Sequence, residues 1–307
     1  MRQARSNPKT ALQFLAISCK PLRMDRTPGD GAPNREPIFN APAVVVGLAV
    51  LLIALFAAFH FASPRVDDAV LRKFAFVPGR LTVSIWPARA IDLMIRANTD
   101  LDAAEELQAM RDLRALGSGP QLWTLVTYAF LHGAWSHVLL NAVWLLAFGP
   151  PVARRFGAPR FLAFMGVTAV AAALAHWALS PMDFMPLIGA SGADSGLMGA
   201  AARFMFQPGA PLGPHAHGHR EIEAVPAASL RTMIADPRAR IFLIIWFGTN
   251  FIFGAFARSL GLSDMPVAWV AHVGGFVAGI LVFPLFDRSR TRVAVSATAY
   301  PPSTPSF

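Results

Sequence analysis

Gly189-Ala190-Ser191-Gly192-Ala193-Asp194-Ser195-Gly196-Leu197-Met198-Gly199-Ala200 is the stretch on which the fold turns. It lies in an apolar segment bounded by Pro186 and Pro208, and it sets a hydroxyl between small residues with a lone carboxylate, Asp194, three positions on. Polar groups at membrane depth are costly and usually mark functional sites. The same stretch also reads as a packing face, because Gly192, Gly196 and Gly199 recur at the spacing that lets a second helix approach closely. The two readings are compatible: the close approach would serve the serine.

Outward from there, the chain of 307 residues is 54% hydrophobic and only 15% charged, with several long apolar runs. That composition predicts an all-α polytopic membrane protein rather than a soluble domain. The single cysteine, Cys19, leaves no disulfide within the chain and no cysteine-based metal site. The net charge of +9 sits mostly in the tails and connecting loops, as membrane orientation requires. No basic run has aromatics interleaved, so a nucleic-acid partner is discarded and the lipid bilayer is the expected surroundings.

Residues 1–40 are polar, basic and rich in Pro, Gly and Asn, and are expected to form a disordered cytoplasmic tail. Residues 1–24 hold five Lys/Arg and no acid, which fits either a targeting segment or an extended start upstream of Met24; no cleavable signal peptide is evident. The membrane domain runs over 41–286, beginning with a span at 41–62. A long external connection, 63–121, follows, with an amphipathic surface helix expected from Thr99 to Gly117. Further spans are predicted at 134–149 (approached through 122–131 and stopped by Pro150-Pro151), 160–180, 187–206, 240–260 and 266–286, with a cytoplasmic loop at 207–239 and a basic tail at 287–307.

Six spans put both termini on one side. The N-terminal tail, the 2–3 loop (Arg154, Arg155, Arg160) and the 4–5 loop with its flanking arginines carry the positive charge, whereas 181–186 and 261–265 hold no Lys or Arg. Both termini are therefore expected in the cytoplasm. Spans two, four and six then run from outside to inside. His137 and Asn141, Ser191, and His272 fall in one layer about 6 to 12 Å below the outer surface, at 1.5 Å per residue.

Gly275 and Gly279, three and seven residues after His272, would face the glycines that follow Ser191, so the hydroxyl can meet the imidazole. A serine whose proton passes to histidine is an activated nucleophile. His137 and Asn141, four apart on one face, can supply donors where an oxyanion forms. His132, about 140° round an ideal helix from His137, is expected to be structural and to point away from that cavity.

At these residues the chain resembles the rhomboid family of intramembrane serine proteases. The blocks are His132-x4-His137-x3-Asn141, then Gly189-Ala190-Ser191-Gly192, then Ala271-His272-Val273-Gly274-Gly275 with Gly279, in the family's order. Phe74-Ala75-Phe76-Val77-Pro78 is similar to bacterial members. The resemblance covers 41–286 and implies a rhomboid-like six-transmembrane-helix bundle. It also implies a Ser191–His272 dyad without a third carboxylate, and an oxyanion hole from His137, Asn141 and the Ser191 N–H. The cavity would be wet, no cofactor or metal would be needed, and single-pass transmembrane protein substrates would enter laterally past Trp246, Phe247 and Phe251. Compactness and loop style point to a bacterial inner membrane; oligomeric state stays open.

The chain departs from the family pattern at several points. Ser195 stands where the family places an aromatic that packs on the catalytic histidine, so its hydroxyl could bond His272 or water could fill the gap. Asp194 is expected to line the cavity, to act as a surrogate third member, or to sit in a polar patch between helices, the last being favoured. Trp123-Thr124 replaces a Trp-Arg pair, and Ala153 replaces a glutamate. Two other readings compete with the protease. One is a catalytically silent relative binding transmembrane helices as adaptor or chaperone; the other is a metal site from His132, His137 and His272. His215, His217 and His219 form a weak metal signal in the 207–239 loop.

Overall fold

The computed structural model describes residues 41–97, 108, 119–210, 212, 225–256 and 268–287. The tails, the Thr99–Gly117 stretch apart from Gln108, and the His215–His219 cluster lie outside the described residues. Among the described residues the chain is all-helical, with one isolated β-bridge between Phe76 and Leu187.

The bundle begins with α1, Ala43–His60. The external connection then folds into α2 (Pro64–Phe74), α3 (Pro78–Ile85) and α4 (Pro87–Ala97). Each opens on a proline, whose fixed φ suits the first helical position and whose missing N–H costs nothing there. A short turn, α5 (Thr124–Thr127), and a 3-10 turn, Tyr128–Phe130, lead to α6 (Trp135–Phe156) and α7 (Ala158–Leu179). The remaining helices are α8 (Ser191–Ala202), α9 (Leu230–Ala235), α10 (Pro237–Phe256) and α11 (Trp269–Phe286). Helices α1, α6, α7 and α11 are long and apolar enough to cross a membrane, and the chain is an integral membrane protein.

Two expectations are corrected here. Pro150 and Pro151 do not stop span two; both are buried inside α6, which runs on to Phe156 and ends at Gly157. Proline is tolerated inside membrane helices because neighbouring elements compensate for the lost backbone bond. Span four does not start at 187 either. The twelve-residue α8, about 18 Å long, begins at Ser191 itself. The preceding residues are non-helical and tied down: Leu187 N–H donates to Phe76 O at 2.7 Å, and Gly189 N–H donates to Tyr128 O at 3.0 Å. Non-helical backbone is allowed at such depth where protein covers it and satisfies its polar groups.

α8 lies at the centre. Its residues from Gly192 to Ala202 are all buried, and it packs most closely on α11. Glycine makes that approach possible. A side chain at Gly275 would strike the Gly192 carbonyl, and one at Gly279 would strike the Gly196 carbonyl. The glycine faces expected from the sequence therefore meet in register, backbone to backbone.

At the opposite end of α8 and α11 from Ser191, two arginines are turned inward rather than lying on loops. Arg155 grips Asp287 through two bonds of 2.9 Å, with side-chain exposures of 0% and 1%, and also donates to Val225 O at 2.8 Å. Its guanidinium lies 4.7 Å from the Phe204 ring centroid and 5.4 Å from that of Phe283. Arg203 donates to Ala228 O and Ile280 O, both at 2.9 Å. These groups tie the ends of α6, α8 and α11 together.

Removing one partner of a buried ion pair leaves an uncompensated charge, so Arg155→Ala should destabilise the fold by about 3–5 kcal/mol. The double variant Arg155→Met/Asp287→Leu should recover most of that loss. Unfolding titrations of the detergent-solubilised protein check both outcomes.

Candidate active site

Helices α8 and α11 begin side by side, and their first turns carry Ser191 and His272. His272 Nε2 lies 2.8 Å from Ser191 Oγ, and both residues are only partly buried. The hydroxyl and imidazole expected to meet do so, because the Gly275–Gly192 contact one turn deeper leaves no side chain between the backbones. Ser191 is the first helical residue, so its N–H and those of Gly192 and Ala193 precede the first helical bond, which Asp194 N–H makes to Ala190 O at 2.9 Å, and they carry the positive end of the helix dipole.

Asn141 is 2% exposed, and its Nδ2 lies 2.9 Å from His132 Nε2. The His132 and His137 rings meet edge-on with centroids 5.0 Å apart. His132 therefore belongs to the same cluster, contrary to expectation. The 140° argument assumed a helix through both histidines, but α6 starts only at Trp135. Burial lowers the pKa of His132 from its ordinary value, with the nearby His137 as the lesser cause. A neutral ring keeps one nitrogen lone pair, which can accept from the Asn141 amide.

Gly189 lets this cluster approach Ser191. Its φ is +111°, and a Cβ there would sit 2.6 Å from His137 Nε2 and 3.5 Å from Asn141 Nδ2. Tyr128, buried beside it, donates its hydroxyl to Ala169 O at 2.9 Å.

The two residues singled out as modulators do not act on His272 directly. Ser195 donates to the Ser191 carbonyl at 2.7 Å, which is the i−4 back-bond open to any helical serine. Asp194 is 1% exposed, and among the described residues neither of its carboxyl oxygens has a hydrogen-bond partner. No polar patch among those residues bonds it.

The partner of His272 Nδ1 is a residue the sequence reading missed: Asn250 of α10, whose Oδ1 is 2.8 Å away. The signal was present as an amide within the apolar run Ile244-Ile245-Trp246-Phe247-Gly248-Thr249-Asn250-Phe251-Ile252-Phe253. With Ser191 on one nitrogen and Asn250 on the other, neither nitrogen of His272 is spare for a metal.

The family model described as "Rhomboid domain" matches residues 119–288, more than half of the chain. The chain belongs to the rhomboid family. Among curated rhomboid relatives it is 32% identical over 77 residues to "Putative rhomboid protease YdcA" of Bacillus subtilis (strain 168), covering 25% of this chain and 38% of the relative. It is 27% identical over 163 residues to "Rhomboid protease GlpG" of Yersinia pseudotuberculosis serotype I (strain IP32953), covering 53% of this chain and 47% of the relative. The rhomboid GlpG of Yersinia pestis (strain Pestoides F) is 28% identical over the same length. The matched segments span less than half of each relative.

Gly189→Ala should cost about 1–3 kcal/mol through overpacking against His137 and a disfavoured backbone. Comparing its unfolding titration with that of Gly47→Ala, where nothing lies within 4 Å of the added methyl, isolates the site-specific part.

Proposed function

We propose that this protein is an intramembrane serine endopeptidase that cleaves transmembrane-helix substrates near the outer face of the membrane. The observation carrying the reading is the 2.8 Å contact between Ser191 Oγ and His272 Nε2 at the paired starts of two helices. The rhomboid relatives, named as proteases, add support.

In the proposed reaction Ser191 Oγ attacks the scissile carbonyl as its proton passes to His272 Nε2. The tetrahedral oxyanion is held by the Ser191 N–H and by donors from His137 and Asn141; loss of one such donor typically costs about 10²–10³ in rate. Collapse breaks the C–N bond, and His272 returns the proton to the leaving amine. A water then attacks the acyl-enzyme, giving its proton to His272 and releasing Ser191.

The substrate segment must first unwind, because a helical peptide carbonyl is already bonded and shielded. The exposed apolar face of α10, with Ile244 at 69%, Ile245 at 62% and Phe251 at 57%, is the side past which a substrate helix would enter. Both termini are assigned to the cytoplasm, in keeping with the charge of the loops, and a bacterial inner membrane is the proposed location.

Purified protein in proteoliposomes should cleave a model single-pass substrate whose helix is broken near its outer end. Ser191→Ala and His272→Ala should each abolish product. Cleavage that persists in Ser191→Ala would refute the serine mechanism. A native protein that binds the substrate helix without cutting it would be an adaptor instead.

A further inference from the structure

We propose that Asn250 is a positioning residue that fixes the tautomer and ring orientation of His272, so that the site works as a Ser191–His272–Asn250 triad. The inference rests on the reading of Ser191 as the nucleophile, and the first step is deciding which way the Asn250 amide points. Its Nδ2 lies 2.8 Å from the carbonyl of Trp246, one turn back on α10. A carbonyl can only accept, so that contact requires the NH₂ group. The alternative flip would set two oxygens against each other. Oδ1 is thereby aimed at His272 Nδ1, 2.8 Å away.

The tautomer follows. An amide oxygen has no proton to give, so Nδ1 must carry the hydrogen and donate it. In the neutral imidazole Nε2 then holds the lone pair, and Nε2 faces Ser191 Oγ. This is the protonation pattern a general base needs; the opposite tautomer would present an N–H to the serine and could not take its proton. The two bonds, one at each nitrogen, also leave the ring no freedom to rotate about its χ2 axis.

An amide suits the place better than a carboxylate would. It orients the ring without adding a charge to an apolar bundle, where an ionised acid is costly. The other polar residues on α8 do not take the role, since Ser195 is bonded to the Ser191 carbonyl and Asp194 bonds neither His272 nor any other described residue.

Asn250 is itself held. Trp246, one turn away, stacks on Phe276 of α11 with ring centroids 4.0 Å apart, and its Nε1 donates to Met198 Sδ of α8 at 3.1 Å. The residue that sets the base therefore comes from a third helix, docked independently on the two that carry serine and histidine.

The test uses the full-length protein in proteoliposomes. Asn250→Leu keeps the size and removes the acceptor; it should lower kcat by about 10²-fold or more while leaving KM and the unfolding midpoint near native. Asn250→Asp keeps an acceptor for His272 Nδ1 but loses the donor to the Trp246 carbonyl, so it should regain part of the rate lost in Asn250→Leu. Unchanged kcat in Asn250→Leu, or equal loss in the Leu and Asp variants, would overturn the proposal.

A second measurement does not depend on activity. The ¹⁵N spectrum of labelled native protein, with His272 assigned by difference against His272→Ala, should show the Nδ1–H tautomer; the Nε2–H tautomer would overturn the proposal outright. A native protein with the Nδ1–H tautomer but no cleavage would fail the protease reading alone.

Discussion

The backbone contact between α8 and α11 is the constraint on which the rest of the structure depends. Gly275 and Gly279 lie against the carbonyls of Gly192 and Gly196. In a membrane, apolar side chains gain little by leaving lipid for protein, so association rests on close packing and hydrogen bonds. Removing side chains from both faces brings two parallel helices together over several turns. It also puts their first turns level, so that one serine and one histidine meet.

That arrangement divides the bundle into two functional ends. At one end lie the partly exposed Ser191, His272 and His137 with the buried Asn141, reached through the non-helical backbone that precedes α8. At the other, Arg155, Asp287, Arg203 and a cluster of phenylalanines lock α6, α8 and α11. The locked end can hold the helices while groups at the open end stay accessible. The twelve-residue α8, about 18 Å long, is shorter than the hydrocarbon core of a bilayer is thick.

Much of this was legible from residue pattern alone. Glycine periodicity announced the α8–α11 face, and polar residues in apolar runs announced Ser191, His272, His137 and Asn141. What was lost had identifiable causes. His132 was misplaced because helical geometry was extended back past the true start at Trp135. Pro150 and Pro151 were read as in a soluble helix, although membrane helices tolerate them. Arg155 reads as a loop charge because charge bias in a sequence does not reveal a buried partner such as Asp287, 132 residues away. Asn250 was overlooked although it met the same criterion as the residues that were found.

The central claim is that glycine-permitted contact between α8 and α11 is what activates Ser191. The most direct measurement is the rate at which a fluorophosphonate labels Ser191 in native protein and in Gly275→Ala. The added methyl must push the helices apart at the turn below His272, and a displacement of about 1 Å typically costs on the order of 10²-fold. The account predicts a loss of that size in a protein that remains folded. Labelling of Gly275→Ala at the native rate would contradict it.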